Sequence, residues 1–161
     1  MITGAPDEMT ELFTTCGGQL WRSLLAASAG RRDVADDITA EAFSQYLQHR
    51  DTVRDPLAYM FRVAYRLLAK ELAREKRQVP QLPDRTRATD TRSVLSSPLT
   101  EALRGLSLEQ RFAVVLHYFL DYPVSEVARV TGSSVPAVKV RLHRARKQLR
   151  EALPEMEVRG V

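Results

Sequence analysis

The sequence predicts an all-α fold: two small helical domains joined by a flexible linker, the C-terminal one a helix-turn-helix. Apolar residues recur at spacings of three and four along most of the chain, as they do on the buried face of a helix. Residues 80–97 break this pattern, because they contain two prolines, many hydroxyl side chains and few apolar ones. Beyond them, two short helical patterns flank the turn Thr131-Gly132-Ser133-Ser134. We therefore expect a first domain over residues 1–79, a linker over 80–97 and a second domain over 98–161.

The composition limits the size and the surroundings of the protein. With 161 residues, 44% of them hydrophobic and 27% charged, the chain can bury a real core. Cys16 is the single cysteine, which excludes an intramolecular disulfide framework, so we expect a packed thiol. No apolar run approaches the roughly 20 residues that span a bilayer, and the first residues do not resemble an export signal. We therefore expect a cytoplasmic protein, with neither a cofactor nor a metal.

Charge is distributed unevenly along the chain. The formal net charge is only +4, but acidic residues cluster early, at Asp33, Asp36, Asp37 and Glu41, and basic residues dominate later. This asymmetry is consistent with an acidic patch that faces a protein and a basic surface that faces nucleic acid.

Three helices are predicted in the first domain. The first covers Glu8 to Ala29 and is weakened by Gly17-Gly18, a pair that can bend or split it. The second runs from about Asp33 to Gln48, with an apolar inner side and an acidic exposed face. Asp55-Pro56 then gives a capped start to a long third helix that continues to about Lys76.

The third helix carries a basic stripe with aromatic residues beside it. The cations recur every fourth residue, at Arg62, Arg66, Lys70 and Arg74, and the rings are Tyr59 and Tyr65. Such a surface suits single-stranded nucleic acid, because rings stack on unpaired bases while cations follow the phosphates. The alternative is a solvated helix face whose cations pair with neighbours such as Glu71 and Glu75. The residues alone leave both interpretations open.

The second domain starts with capped helices. Ser97-Pro98 begins one helix, and Ser107 to Gln110 forms a capping box for the next. The hydrophobic side of that helix comprises Phe112, Val115, Leu116 and Phe119. The first helix of the helix-turn-helix follows over Val124 to Thr131, with Val127, Ala128 and Val130 placed for packing. Gly132 supplies the backbone freedom that the turn needs.

The second helix of the helix-turn-helix, Val135 to Arg150, is basic on one side. Its apolar stripe comprises Val135, Val138, Leu142, Ala145 and Leu149. The remaining positions contain no acidic residue and include Lys139, Arg141, Arg144, Arg146, Lys147 and Arg150. One-sided positive charge is favourable along a phosphate backbone, whose counterions it releases. An ordinary helical hairpin with a solvated basic face is the alternative, but here the turn, the small Ala128 and the charge coincide.

This C-terminal run resembles the extracytoplasmic-function class of bacterial sigma factors. The class has a Ser-Glu-Ile-Ala helix, a Gly turn and then roughly Val-Gly-Thr-Val-Lys-Ser-Arg-Leu-His-Arg-Ala-Arg. The matching positions are Ser125, Glu126, Val127, Ala128, Gly132, Val135, Val138, Lys139, Arg141, Leu142, His143, Arg144, Ala145 and Arg146. In the first domain, Asp36 to Phe43 resembles the family segment that docks on RNA polymerase, and Phe61-Arg62-Val63-Ala64 resembles the segment beside the melted minus-ten element.

The resemblance implies a sigma factor that binds core RNA polymerase and directs promoter recognition, melting and transcription initiation. It assigns polymerase docking to Asp36, Asp37, Glu41 and Phe43. It assigns the minus-ten element to Arg50, Arg54, Tyr59, Arg62, Tyr65, Arg66 and Lys70, and a flipped base to the loop from Arg50 to Asp55. It assigns the minus-thirty-five element to Ser134, Lys139, Val140, Arg141, His143, Arg144 and Arg146. The implied partners are core RNA polymerase, promoter DNA and an anti-sigma factor.

Several positions depart from the family pattern. Ala40 stands where Gln is common, Tyr59 where Trp is usual, Arg66 where Asn is usual and Pro136-Ala137 where Gly-Thr is usual. Arg66 favours phosphate contact over base recognition at the upstream edge of melting. Val140 replaces a common Ser, which favours contact with a thymine methyl group.

Two other functions compete with this one. A free-standing helix-turn-helix regulator would bind duplex DNA without polymerase, but it needs neither the acidic patch nor the basic stripe. An enzyme acting on nucleic acid would need a catalytic constellation. Only His49, His117 and His143 are present, and no phosphate-cradling glycine loop occurs. We therefore expect no enzymatic activity.

Overall fold

The structure, a computed structural model, describes residues 6–78 and 97–153. All regular structure in these two ranges is helical, which confirms the all-α prediction. The helices are α1 (Pro6–Ala27), α2 (Arg32–His49), α3 (Pro56–Gln78), α4 (Pro98–Arg104), α5 (Leu108–Val114), α6 (Val124–Thr131) and α7 (Val135–Ala152), and a π-helical turn at Val115–Phe119 continues α5. The predicted linker lies outside the described residues except for Ser97, so the domain boundaries stay a prediction.

Side-chain caps start the helices where the sequence predicts them. The Asp55 carboxylate accepts a hydrogen bond from the Ala58 amide at 3.1 Å, at the beginning of α3. Ser97 caps α4 in the same way, accepting from the Thr100 amide at 3.2 Å. Ser107 and Gln110 form the reciprocal capping box of α5, with bonds of 3.2 and 2.9 Å. These bonds satisfy amides that have no partner within the helix.

Helix α1 passes through Gly17 and Gly18 without a break, so the predicted split does not occur. Its buried residues Leu20 and Leu24 pack with α2 and α3 in one hydrophobic core. Burial of this apolar stripe outweighs the helix cost of roughly 1 kcal/mol per glycine.

The helix-turn-helix forms over α6 and α7. Gly132 adopts the left-handed conformation with φ of 64° and ends α6, as predicted for the turn. Val127 and Val138 are fully buried where the two helices meet. Ser134 caps α7 by accepting from the Ala137 amide at 3.2 Å.

Two residues assigned to the apolar faces are more exposed than expected. Phe119 is 55% exposed, because the π-helical turn holds more residues per turn than an α-helix and rotates this position out of the stripe. Val135 is 36% exposed, because it lies in the first turn of α7, at the edge of the packed region.

The two halves of the chain pack against each other. The Phe61 ring of α3 meets Tyr122 edge-to-face with centroids 6.2 Å apart, and Tyr65 meets Phe112 in the same way at 4.9 Å. The Arg104 guanidinium donates to the Ala29 carbonyl oxygen at 3.2 Å. One hydrophobic core therefore extends from α1–α3 into α4–α7.

Candidate nucleic-acid interface

Helix α7 presents its basic side to solvent. Lys139, Val140, His143 and Arg144 are exposed, and the buried positions of the helix lie on its opposite face, at Val138, Leu142, Ala145 and Leu149. Within the described residues, no carboxylate lies within ion-pair distance of Lys139 or Arg144. This part of the helix therefore carries positive charge that no carboxylate in residues 6–78 and 97–153 neutralises.

Two other arginines of α7 are held by the protein. Arg141 is half-buried and donates to the Ser133 hydroxyl in the turn, which also accepts from the Thr131 hydroxyl at 3.2 Å. Arg146 donates to the Tyr118 phenol oxygen at 3.0 Å. These contacts fix both guanidinium groups near the exposed face. A guanidinium has five N–H donors, so one bond to protein leaves others free to contact a phosphate.

The contacts of Ser133 and Tyr118 with these arginines were not predictable from the sequence. Tyr118 lies 28 positions before Arg146, so no local pattern links the two. Ser133 lies eight positions before Arg141, on the far side of the helix start. Ser134, one of the residues predicted to contact the minus-thirty-five element, uses its hydroxyl to cap the helix.

The basic stripe of α3 is partly open and partly covered. Arg62, Arg66 and Lys70 are exposed. Arg74 is also exposed, and it pairs with Glu71 at 2.7 Å, as the solvated-helix alternative expects. Tyr65 is half-buried against Phe112 of α5. The stripe therefore presents three cations that form no ion pair with any described residue, while one of its two rings packs against the second half of the chain.

The surroundings of Tyr65 also affect its ionisation. Burial raises the pKa of the Tyr65 phenol, Glu109 raises it further, and Arg141 lowers it. Because Glu109 and Arg141 belong to α5 and α7, this tyrosine lies close to the helix-turn-helix half as well as to its own helix.

The loop after α2 is hydrogen-bonded to the end of that helix. The Thr52 amide and hydroxyl both donate to the His49 carbonyl oxygen, at 3.0 and 2.9 Å. Arg50 and Arg54 are exposed, and Arg50 lies 3.8 Å from the Asp51 carboxylate. Tyr59 is half-buried, and its hydroxyl lies 3.3 Å from Nδ1 of His49.

The acidic residues of α2 are exposed, and two of them also accept hydrogen bonds within the protein. Asp37 and Glu41 are exposed on α2, and Glu41 accepts from the Gln45 amide nitrogen at 2.9 Å. Asp36 accepts from the Trp21 indole N–H at 2.7 Å, which ties α1 to α2. Phe43 is only 7% exposed, with its ring 5.1 Å from that of Phe13. Phe43 therefore lies in the core, whereas Asp36 stays exposed despite its bond to Trp21 and shares the acidic surface with Asp33, Asp37 and Glu41.

A cleft of about 540 Å³ between α2 and α3 brings the acidic patch and the basic stripe together. Asp37 and Glu41 lie on one side of it, and Lys70 and Arg74 on the other. In the sequence these residues form two separate patterns, one acidic and one basic. The two helices pack side by side, so their exposed edges meet at one cleft.

Comparison with known proteins agrees with this geometry. Residues 96–149 match the model of the family sigma-70, region 4. The chain is 28% identical, over 162 aligned positions, to the ECF RNA polymerase sigma factor SigL of Mycobacterium tuberculosis, covering 93% of this chain and 91% of that protein. It is 27% identical over 134 positions to the RNA polymerase sigma factor SigV of Bacillus subtilis, covering 79% of this chain and 80% of that protein. The chain belongs to the extracytoplasmic-function class of sigma factors.

The fold of the sigma factor is also found in a solved structure. RpoE from Bartonella quintana, solved in complex with the anti-sigma factor NepR, superposes with a TM-score of 0.75 at 18% identity, over 93% of this chain and 99% of that chain. In residues 6–78 and 97–153 of the sigma factor, no helix is long and apolar enough to cross a membrane. Within the same ranges, no group of three or more His, Cys, Asp or Glu side chains is placed to hold a metal ion.

Proposed function

We propose that this sigma factor binds core RNA polymerase and directs it to promoter DNA through three separate surfaces. The observation that carries the proposal is the exposed pair Lys139 and Arg144 on the second helix of a helix-turn-helix, with no carboxylate of the described residues within ion-pair distance of either. The proposed division of the chain is a polymerase and minus-ten domain over residues 1–79, a linker over 80–97 and a minus-thirty-five domain over 98–161.

The minus-thirty-five element is assigned to α7. Lys139, His143 and Arg144 are exposed and can reach base edges or the adjacent backbone in the major groove. Val140, 47% exposed on the same face, suits the methyl group of a thymine. Arg141 and Arg146 are assigned to phosphates, since their remaining N–H donors stay available after the bonds to Ser133 and Tyr118.

The minus-ten element is assigned to the stripe on α3 and to the loop before it. Arg62, Arg66 and Lys70 supply phosphate contacts, and Arg50 and Arg54 extend the positive charge to the loop. Tyr59 supplies a ring beside the loop. Tyr65 can stack on a base only after it leaves Phe112, so strand binding through Tyr65 requires the two halves to separate.

Polymerase docking is assigned to Asp37 and Glu41 on the exposed side of α2, with Asp36 at the edge of that surface. Phe43 contributes indirectly, because it packs the helix against α1 rather than facing a partner. We also propose an anti-sigma factor as a partner, in analogy with the RpoE–NepR complex, and it should compete with polymerase for the same acidic residues.

The test is transcription by purified core RNA polymerase, with and without this protein, on a pool of genomic promoter fragments. Protein-dependent transcript starts that share two spaced upstream elements support the proposal and supply the promoter. Binding of DNA without polymerase co-elution and without new starts would favour a free-standing regulator instead.

Charge variants test whether the acidic residues of α2 bind polymerase and whether the basic residues of α7 bind duplex DNA. Reversal of Asp37 and Glu41 to Lys should abolish polymerase binding, whereas reversal of Glu11, an exposed acid on α1, should leave it intact. Substitution of Lys139 and Arg144 with Ala should weaken duplex binding and flatten its salt dependence by about two charges. Arg129, an exposed arginine of α6 that pairs with Glu126, is the matched control for that substitution. Unchanged salt slopes would contradict the assignment of α7.

A further inference from the structure

We infer that Arg141 and Arg146 form a clamp that holds the two phosphate backbones on opposite walls of the major groove, and that Ser133 and Tyr118 are the positioning residues of its two arms. The inference rests on the proposed function, since it presumes that α7 enters the major groove of the minus-thirty-five element. Within α7, the geometry assigns each arginine to one wall and gives each a residue that sets its direction.

The two arginines lie on opposite flanks of α7. The buried stripe of the helix comprises Val138, Leu142, Ala145 and Leu149. At 3.6 residues per turn, Arg141 projects about 70° to one side of this stripe and Arg146 about 70° to the other. Both arginines are half-buried, whereas the face between them is exposed and carries Lys139, Val140, His143 and Arg144. An arginine therefore borders the exposed face on each side.

The shape of the major groove gives these two flanks the same kind of ligand. The groove is about 12 Å wide, and a helix with its side chains is about 10–12 Å across. The centre of the exposed face therefore meets base edges, and the flanks meet the sugar–phosphate walls. Each wall belongs to a different strand, so Arg141 and Arg146 face phosphates of different strands.

The turn of the helix-turn-helix sets the direction of Arg141. The guanidinium donates to the hydroxyl of Ser133, which lies eight positions earlier, before α7 begins. Ser133 is itself held, because its hydroxyl oxygen lies 3.2 Å from that of Thr131. Thr131 is 8% exposed and donates to the Val127 carbonyl oxygen at 2.8 Å. This series of hydrogen bonds connects Arg141 to the buried side of α6.

The π-helical turn after α5 sets the direction of Arg146. The Tyr118 phenol oxygen accepts from the guanidinium at 3.0 Å, and both side chains are half-buried. The Tyr118 ring packs edge-to-face on His117, with centroids 4.9 Å apart. Nδ1 of His117 in turn lies 2.8 Å from the Tyr122 carbonyl oxygen. The phenol therefore has a defined position, and it holds Arg146 on the flank opposite Arg141.

Both arms are held by neutral oxygens. Within the described residues, no carboxylate lies within ion-pair distance of Arg141 or Arg146. A hydroxyl group leaves the positive charge of a guanidinium intact, whereas a carboxylate would neutralise it. An arginine held by one such bond keeps its other N–H donors, and it loses less rotamer freedom when it binds a phosphate. Ser133 and Tyr118 therefore prepare the arginines for an anion.

The experiment measures how tightly the polymerase holoenzyme binds a duplex promoter that the transcript-start experiment identifies. Each phosphate of the minus-thirty-five element is replaced in turn by an uncharged methylphosphonate, first on one strand and then on the other. The proteins compared with the wild type are Arg141→Ala, Arg146→Ala, Ser133→Ala, Ser133→Thr, Tyr118→Phe, Ser133→Ala combined with Arg141→Ala, and Tyr118→Phe combined with Arg146→Ala. The controls are Ser125→Ala and Arg129→Ala, two exposed positions of α6. Thermal unfolding of each variant checks that the fold is retained.

We expect the wild type to bind about tenfold more weakly when one particular phosphate on either strand is neutralised, as for the loss of one charge-assisted hydrogen bond. Arg141→Ala should lose this sensitivity on one strand only, and Arg146→Ala on the other strand only. The two controls should keep it on both strands.

The positioning residues should act only through their arginines. Ser133→Ala and Tyr118→Phe should each weaken binding about threefold without changing the salt slope, because the cation is still present. Ser133→Thr keeps the hydroxyl and should restore binding. Ser133→Ala should cause no further loss when Arg141 is already Ala, and Tyr118→Phe none when Arg146 is already Ala.

The outcomes that contradict the clamp differ from those that contradict the proposed function. The clamp is wrong if both arginine variants lose sensitivity on the same strand, or on neither, while Ala at Lys139 and Arg144 still weakens binding; the proposed function then stands. Equal losses from Ser133→Ala with and without Arg141 would show that Ser133 has only a structural role. If no phosphate matters to the wild type and Ala at Lys139 and Arg144 changes nothing, the assignment of α7 to duplex DNA fails as well.

Discussion

The ring of Tyr65 meets the ring of Phe112 edge-to-face, with centroids 4.9 Å apart and planes inclined by 80°. Tyr65 belongs to the half of the chain that carries the acidic patch, and Phe112 to the half that carries the helix-turn-helix. This contact couples the position of the DNA-facing helix α7 to a residue of the proposed strand-binding stripe. A nucleic-acid strand bound along the stripe would therefore compete with the second half of the chain for the Tyr65 ring.

A double-mutant cycle measures this coupling in the free protein. With Tyr65→Leu and Phe112→Leu, we expect an interaction free energy of about 0.5–1.5 kcal/mol in urea unfolding, as for other edge-to-face aromatic pairs. Phe13 and Phe43 are the matched control, because they form a similar pair at 5.1 Å within the first half alone. If the halves separate in solution, the first pair becomes additive while the control pair stays coupled.

Alanine substitutions at Gly132 and Gly17 should change the free energy of unfolding in opposite directions. Gly132 has φ of 64°, a conformation in which an L side chain is strained, so Gly132→Ala should lower the free energy of unfolding by roughly 1–2 kcal/mol. Gly17 lies inside α1, where an added Cβ would come no closer than 3.9 Å to Phe13. Gly17→Ala should therefore raise the free energy of unfolding by roughly 0.5–1 kcal/mol.

Urea denaturation followed by circular dichroism compares the two variants on the same scale. A stabilising Gly132→Ala would mean that the turn does not need the left-handed conformation. A destabilising Gly17→Ala would mean that the α1 surface is too tightly packed for a methyl group.

Local signals account for most of what the sequence predicted correctly. The helix starts at Asp55, Ser97, Ser107 and Ser134 depend on residues within three positions of the cap, so they are visible in the sequence. The same holds for Gly132, whose role follows from the turn it occupies. The apolar spacing of α7 likewise identified four of its buried positions, Val138, Leu142, Ala145 and Leu149.

Features that depend on packing between distant segments were not predictable in this way. The burial of Phe43 depends on Phe13, which lies on another helix. The covering of Tyr65 depends on Phe112, and the anchoring of Arg146 depends on Tyr118. Helical periodicity gives the inward direction of a residue only approximately, and it does not identify the partner. The sequence therefore indicated the candidate surfaces but not which of their members the protein already engages.

The Arg146–Tyr118 contact separates two roles. Tyr118 positions the Arg146 guanidinium, whereas Arg146 itself is proposed to contact the phosphate. Tyr118→Phe removes the acceptor of Arg146, so we expect a loss of stability of about 0.5–1.5 kcal/mol and somewhat weaker duplex binding. The salt slope should stay unchanged, because the cation is still present. Arg146→Ala should reduce the slope by about one charge. Equal slopes for Arg146→Ala and the wild type would exclude Arg146 from the phosphate contacts.

Tyr122 predicts how stability changes at alkaline pH. Its ring packs edge-to-face on Phe61 between the two halves of the chain. Burial raises the pKa of the Tyr122 phenol to about 12, with further contributions from Asp55, Cys16 and Glu126. Burial and Asp55 raise the pKa of the Cys16 thiol as well, so both groups prefer to stay neutral in the folded protein.

The sign of the effect follows from proton binding. Below pH 10 Tyr122 is protonated in both the folded and the unfolded chain, so its contribution to stability is fully present. Between the unfolded pKa of about 10 and the folded pKa of about 12, the unfolded chain releases the proton first, so stability falls as pH rises.

Tyr122→Phe cannot ionise, and within the described residues the Tyr122 hydroxyl makes no hydrogen bond that the substitution would remove. Urea unfolding at pH 9 and at pH about 11 should therefore show a smaller loss of stability for Tyr122→Phe than for the wild type. Tyr118→Phe, which removes a different phenol, should lose as much as the wild type. An equal decline for Tyr122→Phe and the wild type would mean that Tyr122 is solvated, and hence that the two halves are apart in solution.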